Sequence, residues 1–153
     1  MKLTRREIRE KALQTLFQVQ GDADFPLDTA IEYALLSEQE EVKDKESEEA
    51  EVSVSVPDYL QTLVSGVIEH QEKIDQMITS HLRNWSISRL AKTDLLILRI
   101  AVYELMFQKD LHASVVMDEA IEITKMYSDE KSRKFVNGVL SNVNDTVNKK
   151  VAE

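Results

Sequence analysis

The sequence contains very few residues that end or bend a regular element, since only three glycines and two prolines occur among its 153 residues. A many-stranded sheet needs a turn every few residues, and glycine and proline are the strongest turn signals. The long stretches between them show apolar side chains at helical spacing. We therefore predict an all-α fold, and the chain length suits one domain or two small bundles that share a core.

Apolar spacing and capping signals predict where the helices lie. The first begins at Thr4, which has Glu7 three residues later in a capping-box pattern, and it ends at Gly21. Residues 88–108 are predicted to form a helix whose segment LLILRIAVYELMF is apolar on almost every side, so this helix is predicted to lie at the centre of a bundle. The other predicted helices run from Pro26 through Leu35, from Pro57 to about Leu82, from Val115 to Tyr127, and from a cap at Ser128 or Asp129 through Val147.

Charge is distributed very unevenly along the chain. The net charge is −9, but residues 38–51 contain eight acidic residues against two lysines, a local charge of −6. Residues 1–11 contain five basic residues against two acidic ones. We predict that residues 38–56 form a flexible, mostly disordered acidic insertion, with an acidic interaction segment as the alternative. The global charge is therefore a poor guide to what the basic N-terminus binds.

Three arginines open the first helix on one side. At about 100° per residue, Arg5, Arg6 and Arg9 fall near the azimuth of the apolar residues Leu13 and Leu16. A stripe that is basic at first and apolar afterwards is predicted to run off the edge of the core, where a polyanion can reach the arginines. The alternative is an ordinary solvated helix end.

The sequence lacks the usual patterns of catalytic and metal sites. It has no cysteine, and its histidines His70 and His81 lie 11 residues apart, or about 16 Å along one helix. No phosphate-binding glycine motif, metalloprotease motif or nucleophile elbow occurs. The N-terminus is charged where a signal peptide is apolar, and no apolar run reaches the roughly 20 residues that a bilayer requires. We predict a cytoplasmic protein that is not an enzyme and that holds no metal or cofactor.

Four sequence blocks suggest a family. They are RREIREKALQTLF from Arg5, ILRIAVYEL from Ile97, MDEAIE from Met117 and KFVNGVL from Lys134. In this combination and order the chain resembles the NusB transcription antitermination family, over nearly its whole length apart from the acidic insertion. Within the last block, Gly138 interrupts a helix at a cost of about 1 kcal/mol, which a close approach of a second helix would explain.

The resemblance implies a fold, a function and partners. We expect a NusB-like arrangement of two small packed helical bundles, about 1–82 and about 83–150. We expect binding to single-stranded boxA-type RNA together with ribosomal protein NusE, in an RNA polymerase antitermination complex that supports transcription of ribosomal RNA. The resemblance implies that Asp94 lies on the NusE side. It implies RNA-binding roles for Arg5, Arg6, Arg9, Phe17, Lys134 and Phe135.

The chain departs from the family pattern at Asp118, at Ser128 and at His112, where the family usually has asparagine, glycine and proline. An alternative function is an RNA-recruiting domain that acts with a ribosomal RNA-modifying enzyme, although these 153 residues leave no room for a cofactor-binding second domain. A third is a purely structural helical protein. A homodimer that hides the RNA surface also remains an alternative.

Overall fold

The structure, a computed structural model, describes residues 3–22, 24–39, 56–83 and 86–152. Within those ranges it contains seven α-helices, one short 3-10 helix at Ile87–Arg89 and no strand, which confirms the all-α prediction. The helices are α1 (Arg5–Gly21), α2 (Leu27–Gln39), α3 (Asp58–Glu69), α4 (Gln71–Thr79), α5 (Lys92–Phe107), α6 (Ala113–Tyr127) and α7 (Glu130–Ala152).

The N-terminal unit comprises Met1–Val64, and within it α1 packs against α2. The helix α1 begins with the predicted capping box. The Thr4 hydroxyl accepts a hydrogen bond from the backbone N–H of Glu7, whose carboxylate accepts one from the N–H of Thr4. The core of this unit consists of aliphatic side chains at helical spacing, among them Ile8, Ala12, Leu13, Leu16, Ala30, Ile31, Leu60 and Leu63.

The C-terminal unit comprises Ser65–Glu153 and is arranged around α5, which packs against α4, α6 and α7. Every residue from Asp94 to Leu105 is buried. This confirms the prediction that the apolar helix of residues 88–108 is central, because a helix without a polar face has to be covered on all sides. The division between the units lies inside α3, whereas the sequence predicted it near residue 82.

The predicted long helix from Pro57 to about Leu82 is in fact two helices, α3 and α4, so that prediction was wrong. The chain leaves helical geometry at His70, where φ is −104° and ψ is 16°. The imidazole of His70 stacks on the ring of Phe107, with ring centroids 4.3 Å apart. The sequence offers no glycine or proline at this point. The break coincides with an aromatic contact between residues 37 positions apart, which periodicity does not reveal.

A charged pair lies within the C-terminal unit beside its apolar core. The guanidinium of Arg99 on α5 donates two hydrogen bonds, each 2.9 Å long, to the two carboxylate oxygens of Asp75 on α4. The side chain of Arg99 is 6% exposed and that of Asp75 is 24% exposed. This forked geometry satisfies a buried charge with a matched partner, which the interior requires.

Gly138 does not lie at a close helix approach, contrary to the sequence prediction. It is exposed on α7, and a Cβ atom added there would have no described neighbour within 4 Å. The close approach occurs instead at Gly66 on α3, where an added Cβ would collide with the ring of Tyr103.

Two departures from the family pattern, His112 and Ser128, lie at the ends of α6, and neither provides a side-chain cap. His112 precedes α6 without a side-chain capping bond, and Ser128 ends it in an extended conformation. Asp129, rather than Ser128, caps α7, because its carboxylate accepts a hydrogen bond of 2.9 Å from the backbone N–H of Ser132.

The predicted acidic insertion falls mainly outside the described residues. Its first two residues belong to α2, which continues through Gln39, and residues 40–55 are not described. No helix in the described ranges is long and apolar enough to span a bilayer.

Candidate nucleic-acid interface

Two of the three arginines in the first turns of α1 are exposed. Arg5 and Arg6 lie on the surface, as expected for a helix end that projects, whereas Arg9 is only 3% exposed. The expectation that all three arginines project was therefore wrong for Arg9. Its neighbour Ile8 is also buried, so the core of this unit already covers Arg9 in this turn of α1. The long side chain of an arginine can be covered in this way while it supports packing.

Arg5 makes a specific contact within the N-terminal unit. Its guanidinium carbon lies 3.7 Å from the centre of the Tyr59 ring, at the start of α3. This is a cation–π contact, in which a flat cation covers the negative face of an aromatic ring. Sequence reasoning missed Tyr59, because an aromatic residue in the first turn of a helix has no spacing that links it to Arg5.

Glu7, the acidic residue next to Arg6, caps the start of α1. The carboxylate of Glu7 accepts hydrogen bonds at the start of α1, and the backbone and side-chain bonds with Thr4 hold the pKa of Glu7 below its ordinary value. The carboxylate therefore stays ionised at neutral pH and caps the helix.

Phe17 is an exposed aromatic side chain on the same helix. Its side chain is 47% exposed. Phe17 follows Arg6 by 11 residues, so the two side chains point within about 20° of each other, roughly 16 Å apart along α1. The face of α1 that carries Arg6 therefore also presents an aromatic ring further along.

The first turns of α7 carry the second group of predicted RNA-binding residues. Lys134 is exposed, and its ammonium group lies 3.9 Å from the carboxylate of Glu130 one turn earlier. Phe135 is half-buried, so part of its ring faces solvent. Asp129 caps this helix, and the backbone hydrogen bond from Ser132 lowers its pKa.

Asp94, predicted to lie on the NusE side, is buried and only 6% exposed. One of its carboxylate oxygens accepts a hydrogen bond of 2.8 Å from the Ser132 hydroxyl. The other is buried and has no hydrogen-bond partner among the described residues. The carboxylate therefore ties the start of α5 to the first turn of α7, two residues before Lys134. The sequence did not predict this link.

The predicted residues form two local groups, one in each unit. Arg5, Arg6 and Phe17 lie along α1, and Lys134 and Phe135 lie together on α7. Guanidinium and ammonium groups bind phosphate oxygens, and exposed aromatic rings stack on unpaired bases. No cluster of three or more potential metal-ligating side chains occurs in the part of the chain that the structure describes.

Comparisons with known proteins agree with the family resemblance. The model of the NusB family matches residues 6–145. The transcription antitermination protein NusB of Enterococcus faecalis is 49% identical over 142 residues, which make up 92% of this chain and 89% of that protein. The protein of the same name from Bacillus subtilis is 43% identical over 145 residues, covering 95% of this chain and 98% of the relative.

Solved structures with the same fold belong to this family as well. T. maritima NusB superposes with a TM-score of 0.75 at 36% identity, covering 95% of this chain and 93% of that chain. A chain from the crystal structure of the antitermination factors NusB and NusE in complex with double-stranded RNA superposes with a TM-score of 0.72. That chain is 30% identical, and the match covers 93% of this chain and 96% of that chain. On the match of the family model and of these relatives over nearly the full length, the chain belongs to the NusB family.

Proposed function

We propose that this NusB-family chain is a transcription antitermination factor that binds boxA-type RNA together with NusE and supports processive transcription of ribosomal RNA. The observation that carries the proposal is the match, over 92% and 95% of this chain, to relatives named for transcription antitermination. The match to a chain from a crystal structure that contains NusE and RNA supports the two partners. Such a role is that of an adaptor without catalysis, and it places the protein in the cytoplasm, where bacterial RNA polymerase works.

The proposed RNA contacts are the exposed members of the two local groups. Arg5, Arg6 and Lys134 supply positive charge for phosphate oxygens, and Phe17 and Phe135 supply rings for unpaired bases. Arg9 is left out of direct contact because it is buried. The distinction matters for mutagenesis, since replacing a buried arginine removes packing as well as charge.

The proposed contribution of Asp94 to NusE binding is linked to its position in the fold. The carboxylate of Asp94 accepts a hydrogen bond from Ser132, so it lies beside the turn from which Lys134 and Phe135 project. Asp94 is proposed to act on the NusE side chiefly through its charge at the start of α5.

The test is a titration of RNA with and without NusE. The double variant Arg5→Ala/Arg6→Ala is expected to bind single-stranded boxA RNA more weakly. It is also expected to flatten the dependence of log Kd on log salt by roughly 0.7 for each phosphate group that the variant no longer binds. A matched control removes two exposed lysines of the C-terminal unit in the variant Lys109→Ala/Lys149→Ala. Equal affinity and equal salt dependence in the arginine variant and the wild type would contradict the proposed surface.

The form of the RNA provides a second discriminating measurement. In an A-form duplex the bases are stacked inside the helix and are not available to aromatic side chains. If Phe17 and Phe135 stack on bases, the single-stranded oligonucleotide should bind more tightly than the same sequence in a duplex. Equal binding of both forms would limit recognition to the phosphate backbone.

A further inference from the structure

We propose that Tyr59 is a positioning residue for RNA binding, which holds the guanidinium of Arg5 in the orientation that receives a phosphate group. This inference rests on the proposed function, since it concerns the same RNA surface. It assigns a role to a residue of α3 that belongs to neither of the local groups predicted from the sequence.

The geometry is defined by the two residues and the elements that carry them. Arg5 is the first residue of α1, and Tyr59 is the second residue of α3, within the same unit. The guanidinium carbon is 3.7 Å from the ring centre, which is van der Waals contact between the cation and the ring. Tyr59 is half-buried and is followed by Leu60, which is completely buried. Tyr59 is therefore partly covered by the protein next to a core residue, while Arg5 remains exposed.

The contact leaves the hydrogen-bonding capacity of Arg5 available. A guanidinium has five N–H donors that all lie in its plane, and a cation–π contact occupies only one flat face. No hydrogen-bond acceptor for Arg5 is found among the described residues. Arg99 presents the opposite case, because its fork is already bound to the carboxylate of Asp75.

The chemistry of the available donors indicates a phosphate group. The planar fork of an arginine matches two oxygens of one phosphate, and residues 1–11 carry an excess of basic side chains. The nearby carboxylate of Glu7 accepts a hydrogen bond from Thr4 as part of the helix cap. An arginine that is ordered before binding loses less conformational freedom when the RNA arrives. The ring of Tyr59 thus strengthens binding without touching the RNA.

The experiment is a double-mutant cycle on Arg5 and Tyr59, measured as the affinity for a single-stranded boxA RNA oligonucleotide. Tyr59→Leu is expected to weaken binding about two- to fivefold, which corresponds to an exposed cation–π contact. Tyr59→Phe keeps the ring and is expected to bind as the wild type does. In the Arg5→Ala background, Tyr59→Leu is expected to have no further effect.

Two controls separate positioning from a general loss of structure. Tyr33→Leu removes a tyrosine of the same unit that is 57% exposed, and it is expected to leave RNA affinity unchanged. Arg5→Lys keeps the charge on the surface and leaves α3 unaltered, but it loses both the flat stacking face and the planar fork of donors. It is expected to bind about two- to fivefold more weakly than the wild type, and a wild-type affinity for Arg5→Lys would contradict the proposal.

The outcomes of the cycle distinguish this inference from the proposed function. If Arg5→Ala weakens binding but Tyr59→Leu has the same effect with and without Arg5, the positioning role is wrong and the RNA surface stands. If Arg5→Ala and Arg6→Ala together leave RNA affinity unchanged, the RNA surface itself is wrong. Circular dichroism of each variant checks that it is folded, so that RNA affinities are compared between folded proteins only.

Discussion

Gly66 on α3 lies directly against the aromatic ring of Tyr103 on α5. A Cβ atom at position 66 would meet the ring carbons and the hydroxyl of Tyr103 at distances that real Cβ atoms do not show. Tyr103 is itself buried, its ring stacks on Phe107 and its hydroxyl accepts a hydrogen bond from Gln108. A shift of the ring would disturb these contacts, so the packing favours glycine at position 66.

Replacing Gly66 with alanine should consequently destabilise the protein. An added carbon in a packed core forces side chains and backbone to shift, which typically costs about 1–3 kcal/mol. The free energy of unfolding in urea measures the effect. Gly138→Ala is the matched control, because the same change at an exposed helical glycine with open space around it should stabilise by up to about 1 kcal/mol. Similar changes in the free energy of unfolding for the two substitutions would contradict the close packing of Gly66 against Tyr103.

The paired charges of Arg99 and Asp75 give a second stability prediction. Asp75→Asn keeps the size of the side chain but removes the charge that balances a nearly buried guanidinium. Breaking one partner of a buried pair costs about 3–5 kcal/mol, and we expect the lower end because Asp75 is partly exposed. Glu122→Gln is the control, since its ion pair with Lys125 is exposed and its loss should change stability by less than about 1 kcal/mol. A small effect of Asp75→Asn would show that the guanidinium finds another partner.

The capping carboxylates predict how stability depends on pH. Hydrogen bonds from Thr4 lower the pKa of Glu7 in the folded protein. A lowered folded-state pKa means that the stabilisation is complete above the unfolded-state pKa of about 4.3 and is lost as the pH falls through the folded value. Glu7→Gln keeps a capping partner that does not titrate. The difference in unfolding midpoint between wild type and Glu7→Gln should therefore be constant from about pH 7 to about pH 5 and change below it. A constant difference down to about pH 3 would contradict the role of the carboxylate.

Local signals predicted the helical fold well, and contacts between distant residues explain where prediction failed. The capping box of α1 and the burial of α5 both follow from short sequence patterns. The break at His70 coincides with a ring contact to Phe107, which no local pattern contains. Local patterns also failed to identify which glycine is tightly packed, because the sequence singled out Gly138 while the close approach occurs at Gly66.

The sequence predicted the exposure of some candidate site residues correctly and that of others wrongly. Charge and spacing identified Arg5 and Arg6 as exposed, but they could not show that the core already covers Arg9. The partner of Arg5 lies 54 residues away at Tyr59, and the partner of Asp94 lies 38 residues away at Ser132. Such pairs become visible only when the helices are placed in three dimensions.

The acidic segment gives a prediction that rests on sequence alone. Removal of residues 40–52 should leave the unfolding midpoint nearly unchanged, because a charged segment with few apolar residues has little to bury. RNA affinity should stay equal or increase, because the deletion removes a net negative charge that repels phosphate. Differential scanning calorimetry and RNA titration measure both effects. A large fall in the midpoint would show that the segment packs on the folded protein.

The last prediction separates the RNA-binding and NusE-binding roles on the first turns of α7 and the start of α5. Because Asp94 is buried, a lysine there would disrupt folding, so Asp94→Asn is the informative change. It keeps an acceptor for the Ser132 hydroxyl but removes the charge. We expect weaker binding of NusE and unchanged affinity for RNA alone, measured by binary and ternary titrations. Ser132→Ala is the control, because it breaks the link to α7 while it leaves the carboxylate in place.

Phe135→Ala should weaken RNA binding and leave NusE binding unchanged, the reverse of the result expected for Asp94→Asn. If its half-exposed ring stacks on a base, the substitution lowers RNA affinity by about 1–3 kcal/mol and leaves the binary complex with NusE intact. Phe135→Leu keeps most of the apolar volume but loses the flat ring, so it separates stacking from packing. Weaker RNA binding by both variants with an unchanged unfolding midpoint would establish stacking. Full RNA affinity in a folded Phe135→Leu variant would show that Phe135 contributes packing and not stacking. Normal NusE binding by Asp94→Asn would show that NusE binding does not depend on the Asp94 charge.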